Sequence, residues 1–252
     1  MFIPIFFVCQ WFISVFFQSF FLHRYCAHRM YTMSPAVERI VHFLTWVTMG
    51  STYMAPKPYA LLHREHHAYS DTPRDPHSPS QIGNLFTMMW RTSSRYSGFA
   101  SGRIIPEARF EGGYPEWYWL DKIGQSYYCR IAWGFVYFFI YLKFMTSPWQ
   151  LLFLIPSFVM GPLHGAIVNW CGHMYGYRNF KETHDHSCNS LPWDIIVVGE
   201  LFQNNHHARS NSANFASRWW EMDPTFQVMR LLDLLGLIHL NKPKTTPRAK
   251  AA

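Results

Sequence analysis

The longest apolar run opens the chain. Residues 1–22 (MFIPIFFVCQWFISVFFQSFFL) contain no charged side chain, and a helix of that length reaches across a hydrocarbon core of about 30 Å. A cleavable signal peptide is disfavoured: there is no basic leading region, no A-x-A site, and the run passes directly into His23. Two further apolar stretches, 131–146 and 149–171, flank Ser147 and Pro148, a turn signal that predicts a transmembrane hairpin. Pro156 and Pro162 are expected to kink its second arm, as spanning helices tolerate when neighbours satisfy the freed carbonyls. A fourth stretch, 36–54, carries Glu38, Arg39 and His42 and is read as interfacial or re-entrant. The expected class is all-α: an integral membrane helical protein of one domain over 1–252, with three spans and a basic tail at 242–252.

Between these runs the polar positions are dominated by histidine. Of 14 histidines, eight fall in separated clusters: His23 and His28 in HRYCAH, His63, His66 and His67 in HREHH, His173 in NWCGHMYGYR, and His206 and His207 in QNNHH. On a helix, positions 63, 66 and 67 lie at roughly 0°, −60° and +40°, so three imidazoles share one stripe. Neutral imidazole is the commonest ligand for iron, copper, zinc and nickel. One zinc needs only three or four ligands, so eight predict a dinuclear site. His23 and His28 are five apart, about 140° round a regular helix, so the helix must end or distort between them. His42, His77, His164, His184, His186 and His239 read as ordinary core or surface histidines.

Metal geometry also constrains topology. A hairpin returns the chain to its starting side, whereas a span at 36–54 would strand the first histidine box across the membrane from the others. Of 22 Lys and Arg, 12 lie in 23–130, nine in 172–252, and only Lys143 within the hairpin. By the positive-inside rule the boxes face the cytoplasm.

The net charge of +7 does not point to nucleic acid, because the basic residues are scattered among aromatics (19% of the chain) with no compact basic arm before KPKTTPRAK. The five cysteines form no CxxC pair and read as reduced thiols. There is no P-loop, GxGxxG or ExxH motif.

The ordered boxes, together with HREHHAYSDTPRDPHSP (63–79), VNWCGHMYGYR (168–178) and GELFQNNHH (199–207), resemble the integral-membrane fatty acyl desaturases, the group that includes stearoyl-CoA desaturase. The resemblance runs from His23 to about His207. It implies an O2-dependent oxidoreductase of lipid metabolism that places a double bond in an acyl chain at a non-haem di-iron centre. By similarity, His23, His28, His63, His67 and His206 would ligate one iron, and His66, His173 and His207 the other, with Asn169 reaching it through a water. Candidate acceptors for the imidazole N–H groups are Asp71, Asp75, Glu65, Asp185, Asn189 and Glu200. Arg64 and Arg74 are candidates for an anionic head group, with Lys57, Arg91 and Arg95 beside them. Aromatic and methionine residues in 43–54, 86–90 and 131–160 are candidate walls of an acyl tunnel.

Two departures from the family pattern stand out. Gln203 occupies the position where acyl-CoA desaturases have the first histidine of box three, and an amide oxygen is a weaker iron ligand than imidazole. The chain also begins 22 residues before His23, where the family commonly has two spans, so the first helix of the usual four is expected to be missing. The sequence carries no haem, flavin or Fe–S signature, so electrons are expected from a separate ferredoxin-like or cytochrome carrier and its reductase. The competing activity is that of a membrane di-iron hydroxylase or ketolase.

Overall fold

The computed structural model describes residues 1–241; the basic tail lies outside them. α1 (Phe2–Phe17) runs without a break into a π-helical segment, Gln18–Ala27. Pro35, at the first position of α2 (Pro35–Met49), and Ser34, whose Oγ accepts from Val37 N–H at 3.3 Å, start the next helix. It ends at Gly50, with φ +53°; a Cβ there would lie 1.8 Å from the Tyr137 hydroxyl, so only glycine fits. α3 (Pro56–Tyr69) again opens on proline. The short α4 (Pro79–Ile82) precedes α5 (Leu85–Ala100), which Asn84 caps by accepting from Thr87 N–H at 2.8 Å.

The apolar hairpin is more irregular than its composition suggests. Its first arm is α7 (Tyr127–Phe144), preceded by α6 (Tyr118–Gly124) and capped by Ser126. Its second arm is a 3₁₀ turn (Pro148–Phe153), α8 (Leu154–Phe158), α9 (Met160–Ala166), a π segment (Ile167–Cys171) and α10 (Gly172–Met174). The arm bends by 68° at Val159, between the two prolines that cannot supply N–H groups to the ladder. Among the described residues, one helix, Phe2–Ala27, is long and apolar enough to cross a membrane, or two if the bent pair forms one span. α7 is not among them, although Ile131, Phe135, Phe139 and Leu142 point outward from it.

The third box lies on α11 (Gln203–Ala208), and α12 (Pro224–Leu234), capped by Asp223, follows. A two-stranded antiparallel ribbon pairs Tyr31 with Leu240 and Thr32 with His239, closing the C-terminal part onto the end of box one. The main core, including Phe20, Phe21, Tyr31, Tyr53, Phe202, Phe215 and Met229, fills the space between. Arg24, fully buried in the π segment, donates to both carboxylate oxygens of Asp223 (3.0 and 3.1 Å) and to the Ala213 carbonyl (2.7 Å). This forked pair replaces the hydration both charges lose on burial, and removing one partner would strand the other. It fixes the rotation of the π segment about its axis, and with it the aim of His23.

Candidate metal centre

Each box solves a different geometric problem. In box one the distortion required by the five-residue spacing takes the form of the π-helix, whose wider turn brings residues five apart towards one face. In box two, on α3, His63 and His67 are four apart and share a face, while His66 is turned aside. In box three the consecutive His206 and His207 diverge by about 100°.

The result is two all-histidine clusters, besides a mixed group of His66, Asp75 and His77 that shares His66 with the second. The ring nitrogens of His23, His28, His63, His67 and His206 lie within 4.8 Å of one another, and those of His66, His173 and His207 form a second such group. In the first, Nε2 atoms face Nε2 atoms: His28 to His63 at 2.7 Å, His67 to His206 at 2.9 Å and His23 to His206 at 3.1 Å. In the second, the three ring centroids are 5.0–5.1 Å apart. His67 and His207 bring the clusters together, their ring centroids 4.4 Å apart.

Carboxylates fix the tautomers. Nδ1 of His23 donates to Glu200 at 2.5 Å, that of His66 to Asp75 at 2.9 Å, that of His173 to Asp71 at 2.9 Å and that of His207 to Asp185 at 2.5 Å. With the proton on Nδ1, each Nε2 presents a bare lone pair inward. The Nε2 atoms of His66, His173 and His207 are buried without a hydrogen-bond partner. Orphaned, convergent lone pairs in a buried site are what a cation would satisfy, so the donor set fits a pair of metal ions.

The electrostatics agree. Burial, then neighbouring imidazoles, hold His63, His67 and His206 well below the usual histidine range. Burial also pushes His207 down, partly offset by Asp185, to about 4. At neutral pH these rings are uncharged, as ligation requires. His66 moves the other way, because the Asp75 carboxylate outweighs burial. Asp71, Asp75 and Asp185 sit well below the ordinary carboxylate range: burial raises them, and the imidazole bonds more than compensate.

Asp71 organises the second cluster. Held at φ +58° in the DTPRDPHSP loop, it accepts from His173 Nδ1 at 2.9 Å, from the backbone N–H of His186 at 2.8 Å and from Ser78 Oγ at 2.6 Å. Of the other suggested acceptors, Glu65 pairs with Arg95, and Asn189 accepts from Asn205 N–H, so neither reaches an imidazole.

A cavity of about 300 Å³ opens beside the first cluster, bordered by His23, His63, Asn169 and Gln203. Gln203 is buried and donates through Nε2 to the Glu200 carbonyl at 2.7 Å. Of the expected aromatic and methionine walls only Met54 and Met89 line it, beside Thr52, and the window 131–160 contributes nothing; much of the wall comes from Val15, Gln18 and Ser19 of the first helix and from Gly161–Asn169 of the bent arm. Neither arginine suggested for a head group borders it. Arg64 is spent on the backbone carbonyls of Cys26, Ala27, Phe110 and Gly112, and Arg74 lies over Tyr69 and pairs with Glu107 on the surface. Two histidines read as ordinary border the cavity: His77, whose ring lies 4.1 Å from that of His66, and His164. The DPH step was the sequence signal for the first; for the second there was none.

The sequence matches the fatty acid desaturase family over residues 1–234. The chain belongs to the fatty acid desaturase family. It is 28% identical over 221 residues to a delta-9 desaturase-like 5 protein of Arabidopsis thaliana, covering 87% of this chain and 70% of that protein. Against an acyl-CoA 5-desaturase of Anemone leveillei the identity is 30% over 231 residues (89% and 66%). Against an sn-1 stearoyl-lipid 9-desaturase of Anabaena variabilis it is 29% over 217 residues (85% and 74%). The chain is a fatty acyl desaturase, an oxidoreductase acting on fatty acyl chains.

Proposed function

We propose that the two histidine clusters hold two irons and that the cavity bordered by His23 and His63 takes a saturated stretch of an acyl chain for O2-dependent desaturation. His23, His28, His63, His67 and His206 would hold one iron, and His66, His173 and His207 the other, with Asn169 contributing through a water. The observation that carries this is the eight imidazoles in two adjacent buried groups, four of them with Nδ1 held by a carboxylate.

When bound, the irons supply oxygen activation, which no amino-acid side chain can perform. The chain's own contribution is position and dryness. Chemically similar methylenes can be told apart only by holding the chain in one register. The cavity wall, with Met54, Leu62, Met89 and Val168, supplies an apolar channel that excludes water from the reacting pair. Glu200, Asp75, Asp71 and Asp185 hold the protons on Nδ1 and aim the imidazoles. Gln203 supports Glu200 from behind and acts beside the ligands.

The finer reading includes a separate ferredoxin or cytochrome donor with its reductase, a multi-pass membrane setting with three spans, 36–54 at the interface, and the histidine boxes on the cytoplasmic side. Lipid analysis of a host expressing the chain, with and without oxygen, tests the activity. The expected product lacks two hydrogens relative to its precursor and forms only with O2; an oxygen-inserted product would establish the hydroxylase instead. Tags within 95–105 should report the cytoplasm and one near Ser147 the opposite side. An external 95–105 loop would overturn the topology.

A further inference from the structure

Glu200, whose carboxylate holds His23 Nδ1, is carried by a turn running from Asp194 to Leu201. The Asp194 side chain is fully buried within it. Its Oδ1 accepts from Val197 N–H at 3.0 Å, and its Oδ2 accepts from Gly199 N–H at 2.9 Å and Leu201 N–H at 2.8 Å. Three backbone dipoles take the place of the water this charge lost. Burial pushes the carboxyl up to about 6, and the three N–H bonds work against that rise.

Two of these donors flank Glu200, and its own N–H is held by the Val197 carbonyl at 3.2 Å. The planar peptide units on both sides of residue 200 are therefore fixed, and with them the direction in which its side chain leaves the backbone. That side chain spends both oxygens on the π segment: Oε2 meets His23 Nδ1 at 2.5 Å, and Oε1 accepts from Ser19. The turn itself is strained. Val198 lies at φ +54° and Gly199 at φ +104°, and a β-branched residue keeps a left-handed backbone only where its surroundings over-determine it. Asp194 supplies one side of that restraint. Thr225 supplies the other, its Oγ1 and N–H donating to the Val198 carbonyl at 2.8 and 3.3 Å. A Cβ on Gly199 would lie 2.5 Å from Asp223 Oδ1 and 3.4 Å from a terminal nitrogen of Arg24, so the turn is seated against the ion pair that sets the rotation of the π segment.

We infer that Asp194 is a positioning residue for the first metal: through the amides around Glu200 it fixes that carboxylate against His23 Nδ1, and so sets how firmly His23 holds its ion. This rests on the reading of His23 as an iron ligand.

The test is a double-mutant comparison on the full chain, loaded anaerobically with iron-57 and followed by Mössbauer spectroscopy and by the rate at which each iron is lost to a chelator. Asp194→Asn keeps the side chain's size but offers one acceptor oxygen in place of two, so it cannot serve Val197 and the other two amides together. Glu200→Gln marks the signal of the first iron, and Asp185→Asn, acting on His207, marks that of the second. Asp194→Asn is expected to alter the first signal alone and to speed loss of that iron about tenfold. Combined with Glu200→Gln it should add little, because both act through one contact. Thr225→Val, which removes only a hydroxyl donor to the same turn, should shift the same signal by less, and it decides the matter if Asp194→Asn protein does not fold. First-iron signal and retention unchanged in the folded variant, or an effect that adds in full to that of Glu200→Gln, overturns the inference and leaves Asp194 a cap of its own turn. Should Glu200→Gln itself alter neither signal, or the wild-type chain hold no iron, the reading of His23 as a ligand is what fails.

Discussion

The backbone N–H of His28 donates to the carbonyl of His23 at 3.1 Å, an i→i+5 bond between the two histidines of the first box. A regular helix would join residue 28 to 24 and turn the two imidazoles about 140° apart. The π register lets both rings reach one cluster, where their centroids are 5.0 Å apart. Deleting one residue between Ser19 and Leu22 would restore regular winding upstream but rotate Arg24 off Asp223. Such a variant should lose metal and fold poorly, as measured by iron content and thermal unfolding; full iron loading would show that the π segment is dispensable.

The two-cluster arrangement predicts metal stoichiometry. Anaerobically purified protein should hold about two irons per chain. His206→Ala and His67→Ala should abolish turnover with loss of iron while membrane insertion persists. A fully active His67→Ala enzyme would remove that residue from the centre.

Glu200 offers one carboxylate oxygen 2.5 Å from His23 Nδ1 and accepts from Ser19 with the other. Glu200→Gln leaves the volume nearly unchanged but cannot hold the proton on Nδ1 as firmly. Activity should fall on the order of 10- to 100-fold, the usual cost of losing a ligand's supporting bond, with iron measured alongside. Unchanged activity and iron affinity would make this contact incidental.

Gln203 donates to the backbone carbonyl of Glu200 and so steadies the segment that carries this carboxylate. Gln203→Ala should lower the rate by a similar 10- to 100-fold and leave both irons in place. Loss of half the iron would instead make Gln203 a ligand.

For metal-free protein the sign of the pH dependence follows from the histidines. His207, with a folded-state pKa of about 4, and His63, His67 and His206, all held low, bind protons less readily folded than unfolded. Their contribution is complete above the unfolded value near 6.5 and is lost as pH falls towards 4. His66, raised by Asp75, opposes this weakly. The Tm of the metal-free chain should therefore drop between pH 7 and pH 4, and a flat profile would contradict the burial of these rings as neutral groups.

Local spacing made the histidines legible, because HRYCAH, HREHH and the final HH encode direction within one or two turns of helix. The bend between Pro156 and Pro162 was legible for the same reason: proline acts on its own turn. What escaped was long-range. Glu200 and His23 are 177 residues apart and Asp71 and His173 are 102 apart, so sequence could name these carboxylates only in company with Glu65 and Asn189, which turn elsewhere. Arg64 looked available for an anion because its backbone acceptors lie in two segments remote from it in sequence. His164 looked ordinary because nothing near it in sequence reveals that it borders a cavity built by the first helix.

The adjacency of His206 and His207, one assigned to each cluster, also bears on biosynthesis. A growing chain that has reached the bent arm already carries both histidines of the first box, all three of the second, and His173. Neither half of the centre is complete until two consecutive codons, those of His206 and His207, have been read. Both halves then gain their last imidazole in the same moment, so completion of the two clusters becomes a single event, and a product terminated before His206 is left without either finished site.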